Sequence, residues 1–127
     1  MKKILTFVVL VALCFGFVGV VNAASKDKDE TLNYNDSTTI EKADTWSTYY
    51  TRFLTKGLTN SPTVKTTTQR KLLGIWGLPS SVTQTVSNVS YVYTVQWSGM
   101  NFLDTRATWL NTKSSSQIAA NFRLQDQ

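Results

Sequence analysis

The segment from Val89 to Trp97 constrains the fold most tightly. Val89, Tyr91, Tyr93, Val95 and Trp97 recur at every second position, so an extended strand puts them all on one face, whereas a helix would scatter them around its axis. The same period resumes after a turn at Ser98-Gly99-Met100-Asn101. Over Phe102 to Leu110, Leu103, Thr105, Ala107 and Trp109 share one face, and Asp104, Arg106 and Thr108 share the other. A second turn, Asn111 to Ser114, leads to Ile118, Ala120, Phe122 and Leu124, which alternate with Gln117, Ala119, Asn121 and Arg123. A short leading strand is expected from Ser80 to Val86, through Val82, Gln84 and Val86. These segments predict an antiparallel sheet of three or four strands.

Upstream of Pro79 the spacing is different. Thr38 followed by Glu41 has the form of a capping box, and Ile40, Ala43, Trp46, Tyr50 and Phe53 then recur at intervals of three and four, the stripe of an amphipathic helix. Gly57 is placed to end it. Asn60-Ser61-Pro62 breaks the chain and opens a second helix, in which Val64, Thr68, Leu72 and Ile75 share a face and Gly77-Leu78-Pro79 closes the element, with Leu78 packing back. The threonines Thr66 to Thr68 lower its helical propensity. Two helices followed by strands predict an α+β fold, with both N-terminal helices packed on one face of the antiparallel sheet and the other face open to water.

The first residues read as a secretory leader. Lys2 and Lys3 precede the apolar run Ile4 to Val21, and Val21-Asn22-Ala23 presents small residues where a signal peptidase reads them. Cleavage after Ala23 is expected, leaving a flexible polar tether over 24–37 and a single domain over 38–127, secreted or held in the cell envelope. The length of the run also suits an uncleaved membrane anchor, which needs roughly 18 apolar residues. Lipidation of Cys14 is disfavoured by Leu13 before it and by Phe15-Gly16-Phe17-Val18 after it.

With the leader go Lys2, Lys3 and the only cysteine, so 13 basic residues become 11 against 8 acidic ones, and the net charge falls from +5 to +3. The chain has no histidine. Serine or cysteine nucleophiles paired with histidine are thereby excluded, as are zinc sites built from thiolate or imidazole, and no disulfide can brace the exported part. No cofactor or metal is expected. Packing must stabilise the fold, and the four tryptophans and five tyrosines supply large side chains for it. Lys65, Arg70 and Lys71 are the nearest approach to a basic cluster, which reads as a solvated face and not as a nucleic-acid interface.

Leu72-Leu73-Gly74-Ile75-Trp76-Gly77-Leu78-Pro79, followed by Val82 and the strand around Tyr91-Val92-Tyr93, resembles the β-lactamase-inhibitor-protein-like family, which includes the SmpA-type envelope lipoproteins. Ile75-Trp76-Gly77-Leu78-Pro79 stands where that family has a Leu-x-Gly-x-Pro segment at the end of its second helix. Lys56-Gly57-Leu58-Thr59 is similar to the segment preceding that helix. The resemblance spans Gly57 to Leu124, without the lipidated cysteine of the SmpA-type members. It implies a helix pair followed by an antiparallel sheet, and a non-catalytic protein that binds another protein through the sheet and its loops.

The candidate contact residues are Tyr49, Trp97, Asp104, Arg106, Trp109 and Arg123. Tyr49 lies off the helical stripe and is the expected exposed aromatic, while Trp46 and Tyr50 lie on the stripe and are expected in the core. Trp97 and Trp109 sit beside turns, where an edge can stay exposed. Asp104 and Arg106 share a strand face, with Arg123 expected across the ladder. The carboxylates Glu41, Asp44 and Asp104 are not brought together by any pattern, so no catalytic pair is expected. The leader, the missing catalytic residue types and the order of helices before sheet favour an exported non-enzymatic module of the bacterial cell envelope or medium that contacts another protein through the open sheet face and adjoining loops. The alternative is a cationic antimicrobial or toxin-like protein acting at membranes, with which the charge agrees but which lacks a helix that is basic on one side and apolar on the other. A plain structural spacer is the third reading.

Overall fold

The computed structural model describes residues 25–100 and 103–126, so the leader and the cleavage site expected after Ala23 lie outside the described residues. Nine strands form among them: β1 (Ser25–Asn33), β2 (Ser37–Thr45), β3 (Thr48–Thr59), β4 (Thr63–Leu72), β5 (Ile75–Trp76), β6 (Ser80–Thr85), β7 (Val92–Ser98), β8 (Leu103–Asn111) and β9 (Gln117–Asp126). They make two antiparallel sheets. Sheet I has the order β1-β9-β3-β7; in sheet II β2 pairs with β8, β8 with β4, and β4 with both β5 and β6.

The connections β1–β2, β2–β3, β3–β4, β6–β7, β7–β8 and β8–β9 each cross from one sheet to the other. With β5 and β6 running back along the same side of β4, the orders 1-9-3-7 and 2-8-4-6 are those of a double Greek-key jelly roll. The inner faces meet in one core. Trp109 of sheet II lies 5.3 Å from Phe122 of sheet I, ring centre to ring centre, and Phe122 lies 5.7 Å from Phe53. Leu32, Ile40, Tyr49, Val64, Val86, Ala107, Ile118, Ala120 and Leu124 complete it.

The α+β expectation is therefore corrected: the described residues contain no helix, and the helix pair implied by the family resemblance is not formed. The first expected helix is β2, a turn and β3; the second is β4 and the hairpin after it. Buried positions in these segments alternate, with Thr38, Ile40 and Lys42 inward in β2, Tyr49, Thr51, Phe53 and Thr55 in β3, and Val64, Thr66 and Thr68 in β4. Five of the residues assigned to the helical stripes stand outside the core: Ala43, Trp46, Leu72 and Ile75 are exposed and Tyr50 lies on the outer face of sheet I. β-Branched threonine fits a strand better than a helix, and it occupies the inner positions that an aliphatic residue would have made conspicuous. The polar segment from Ser25 forms edge strand β1, held by β9 from Gln125↔Ser25 to Gln117↔Asn33. The strands expected after Pro79 are present as β6 to β9, but they do not make the one sheet expected of them: β6 and β8 belong to sheet II, β7 and β9 to sheet I, and none of the four pairs with another.

Candidate functional site

The end of the sandwich formed by the β2–β3 turn, the β4–β5 hairpin and the β7–β8 connection combines exposed apolar side chains with a fixed backbone. β4 turns into β5 through two residues, Leu73 and Gly74, both at positive φ (53° and 79°), the signature of a tight hairpin turn that normally takes Asn-Gly or Gly-Gly. A left-handed backbone costs an ordinary side chain about 1–2 kcal/mol. Leu73 bears that cost while 92% exposed, so burial does not repay it.

Three residues, Gly77-Leu78-Pro79, then stand opposite two, Gln69 and Arg70, and form a bulge between β5 and β6. Gly77 N donates to Arg70 O at 2.8 Å, and Gln69 Nε2 donates to Gly77 O at 3.0 Å. Pro79, which cannot donate to a ladder, follows at the bulge. Leu78 is thrown outward and is 94% exposed, so the expected packing back of this residue is not found. Ile75 (71%), Met100 (60%) and Trp46 (54%) are the other large apolar residues exposed at this end, with Leu72 beside them.

Arg70 holds the loops in place. Its Nη2 donates to Thr45 O (2.8 Å), Met100 O (2.7 Å) and Trp46 O (3.3 Å), and its guanidinium lies 4.7 Å from the Tyr49 ring centre. Gly99 N donates to Ser47 O at 2.8 Å and joins the two loops directly. Behind the apolar tip the charge is mixed. Arg106 lies 4.2 Å and Lys71 5.3 Å from the Trp76 ring centre, Arg106 Nη2 donates to Gln69 Oε1 at 2.8 Å, and Asp104 accepts from Asp44 N at 3.3 Å. Asp104 faces Lys71 across the ladder, and Glu41 faces Arg106.

The six residues singled out by sequence are divided among three places. Tyr49 is only 2% exposed, its hydroxyl 3.3 Å from Thr68 Oγ1, because β3 alternation turns it inward and Tyr50 outward. Trp109 is fully buried, and Trp97 is half-buried with its indole N–H donating to Thr51 Oγ1 at 2.7 Å. Asp104 and Arg106 share the outer face of sheet II. Arg123 is not across a ladder from them, since β8 and β9 lie in different sheets; it faces out from sheet I, 3.6 Å from Asp27. Sequence reasoning did not single out the exposed Leu73, Leu78 and Met100, nor Arg70 beneath them. The signal for Leu73 was available in a leucine directly before glycine in a possible two-residue turn, but a helical reading hid the turn. No family model matches the chain, and no curated protein matches it.

Proposed function

We propose that the chain is an exported, non-enzymatic module of the bacterial envelope or medium that binds another protein through the apolar end of its jelly roll. The observation that carries this reading is Leu73, an aliphatic side chain presented to solvent on a left-handed turn where asparagine or glycine would cost less. Strain retained at an exposed position is a mark of function. Loops tied by Arg70 reduce the ordering entropy lost on docking. The rim chemistry favours protein over lipid. Arg70, Lys71 and Arg106 are matched by Glu41, Asp44 and Asp104, a mixed polar margin around an apolar centre as in protein interfaces, whereas an anionic bilayer rewards net positive charge. This reading assigns the contact to the loops, where the exposed apolar residues lie, in place of the open sheet face expected from sequence.

The test uses the chain from Ala24 to Gln127 as bait for envelope and culture proteins, beside Leu73→Asn and Leu78→Asp. A discrete protein should be retained by the wild type and lost by both variants, while Leu73→Asn melts at or above the wild-type temperature. Equal retention by the variants would sink the reading. So would binding to anionic vesicles that both variants abolish when no protein is captured.

A further inference from the structure

The outer face of sheet I, on the other side of the core from the outer face of sheet II, contains an arrangement that folding alone does not favour. Arg52 of β3 and Arg123 of β9 are direct cross-strand partners, both facing solvent. Like charges in that relation repel, and sheets ordinarily place opposite charges or neutral residues there. Compensation is slight. Arg52 Nη1 donates to the neutral Gln125 Oε1 at 3.2 Å, and no carboxylate pairs with its guanidinium among the described residues. Among the described residues Arg123 has one carboxylate, that of its β1 ladder partner Asp27, at 3.6 Å and with both side chains substantially exposed.

The register sets these arginines in a grid. Tyr50, Arg52 and Leu54 of β3 have Gln96, Thr94 and Val92 beside them on β7, and Gln125, Arg123 and Asn121 beside them on β9. Arg52 lines two shallow clefts. One, of about 170 Å³, includes Leu54, Val92 and Arg123; the other, of about 180 Å³, includes Tyr50, Thr94 and Gln125. From Tyr50 to Leu54 the two clefts, which share Arg52 and are treated together as one groove, span about 13 Å at the usual rise of a strand. An aromatic ring flanked by two glutamines is therefore followed by a pair of guanidiniums, whose forked N–H groups match carboxylate or phosphate.

We propose that this groove binds a polyhydroxylated polyanion, a polymer of acidic sugars or of polyol phosphates, with Arg52 and Arg123 holding the anionic group and Tyr50, Gln96 and Gln125 the adjoining hydroxyl-bearing unit. An extended peptide is a poorer occupant. β3 is paired on both sides, so the face offers no free backbone ladder for strand addition. The bound anion would neutralise the Arg52–Arg123 repulsion, which makes the pair costly when empty and favourable when filled. This site is independent of the apolar end and stands or falls separately.

Calorimetric titration of the chain from Ala24 to Gln127 tests it with polygalacturonate, poly(glycerol phosphate), dextran and inorganic phosphate. Binding to at least one polyanion is expected, weakened at least tenfold by Arg52→Gln and by Arg123→Gln, weakened also by Tyr50→Ala and by raised salt, with dextran unbound. Which polyanion binds identifies the source of the negative charge. Melting of Arg52→Gln without ligand should occur at or above the wild-type temperature, so that lost binding is not lost folding. Failure to bind either polyanion overturns the proposal. It is equally overturned if Lys65→Gln, on the outer face of sheet II, reduces binding as much as Arg52→Gln, or if inorganic phosphate alone binds as tightly as a polymer.

Discussion

Lys42 Nζ and Asp126 Oδ2 lie 2.7 Å apart with side chains 7% and 8% exposed, an ion pair sealed between the two sheets. Lys42 is the last inward residue of β2 before its irregular end, and Asp126 closes β9, so the pair joins an edge of sheet II to the interior of sheet I. The other carboxylate oxygen of Asp126 accepts from Trp46 N at 3.0 Å, and Thr45 Oγ1 donates to Lys42 O at 3.1 Å. The pair therefore also fixes the turn that presents Trp46 at the apolar end.

Removing one partner leaves a buried charge without compensation. Lys42→Met or Asp126→Leu alone should cost about 3–5 kcal/mol, whereas a pair of apolar replacements avoids that penalty. Lys42→Met combined with Asp126→Leu should therefore cost clearly less than the single changes added together, with a residue of about 1 kcal/mol for the acceptor lost to Trp46 N. A double-mutant cycle by urea unfolding measures the coupling. Simple additivity of the two changes would show that the ion pair does not link the sheets energetically.

The inner threonines are not equivalent. Thr55 Oγ1 donates to Asn88 O at 2.6 Å and accepts from Tyr91 N at 3.1 Å, fastening the β6–β7 connection to β3. Thr66 is 1% exposed, and its Oγ1 has no hydrogen-bond partner among the described residues. Replacing a buried hydroxyl without a partner by a methyl group of the same shape removes a desolvation cost of about 1–3 kcal/mol. Thr66→Val should thus raise stability by about 1 kcal/mol, while Thr55→Val lowers it by about 1–2 kcal/mol because a bonded hydroxyl is lost. Chemical denaturation of the two variants reads both signs, and destabilisation by Thr66→Val would contradict the first.

These threonines also explain what could be seen in the sequence. In β8 and β9 the inner positions include Ala107, Trp109, Ile118, Ala120, Phe122 and Leu124, and a two-residue period stands out. In β2, β3 and β4 many of the same positions are Thr38, Thr51, Thr55, Thr66 and Thr68, so counting them as polar erases the period. The remaining apolar residues, drawn from inner faces, outer faces and turns, then fall by coincidence at intervals of three and four. The exposed apolar end was hidden by a related error. Gly77-Leu78-Pro79 is a good helix stop, yet the same three residues make a bulge once their neighbours are paired strands, and only long-range pairing distinguishes the two. The cross-strand position of Arg52 and Arg123 depends likewise on a register that no local pattern contains.

Arg70 is the latch of the apolar end, and its substitution should loosen loops without dissolving the core. Hydrogen bonds from a charged donor contribute about 1.5–3 kcal/mol in favourable settings, so Arg70→Met should cost about 2–3 kcal/mol. The loss should be local. Amide exchange should quicken at 45–47 and 99–100, while β8 and β9 stay protected. Gly99→Ala should have a milder version of the same effect, because a Cβ there would lie 3.1 Å from Arg70 Nη1 and displace the guanidinium. Uniform acceleration across all strands would instead make Arg70 an ordinary packing residue.

Acid should weaken the attachment of β1. Asn121 Nδ2 donates to Asp29 Oδ1 at 3.0 Å, and Lys56 Nζ lies 3.0 Å from the same oxygen. The Asn121 hydrogen bond, followed by the Lys56 contact, holds the Asp29 carboxyl below its ordinary value of 3.8. A carboxylate with a depressed folded-state pKa contributes stability that is complete above the unfolded value and is lost as pH falls through the folded one. The melting temperature of the wild type should therefore exceed that of Asp29→Asn by a constant margin at neutral pH. Below 3.8 that margin should narrow, and once Asp29 is protonated the two proteins should converge. The contribution is small because the pair is exposed to water, so the comparison rests on the pH at which the margin closes and not on its size. Direct titration of the Asp29 carboxyl carbon by nuclear magnetic resonance supplies the second reading. A midpoint at or above 3.8 would show that neither Asn121 nor Lys56 favours the charged form in solution.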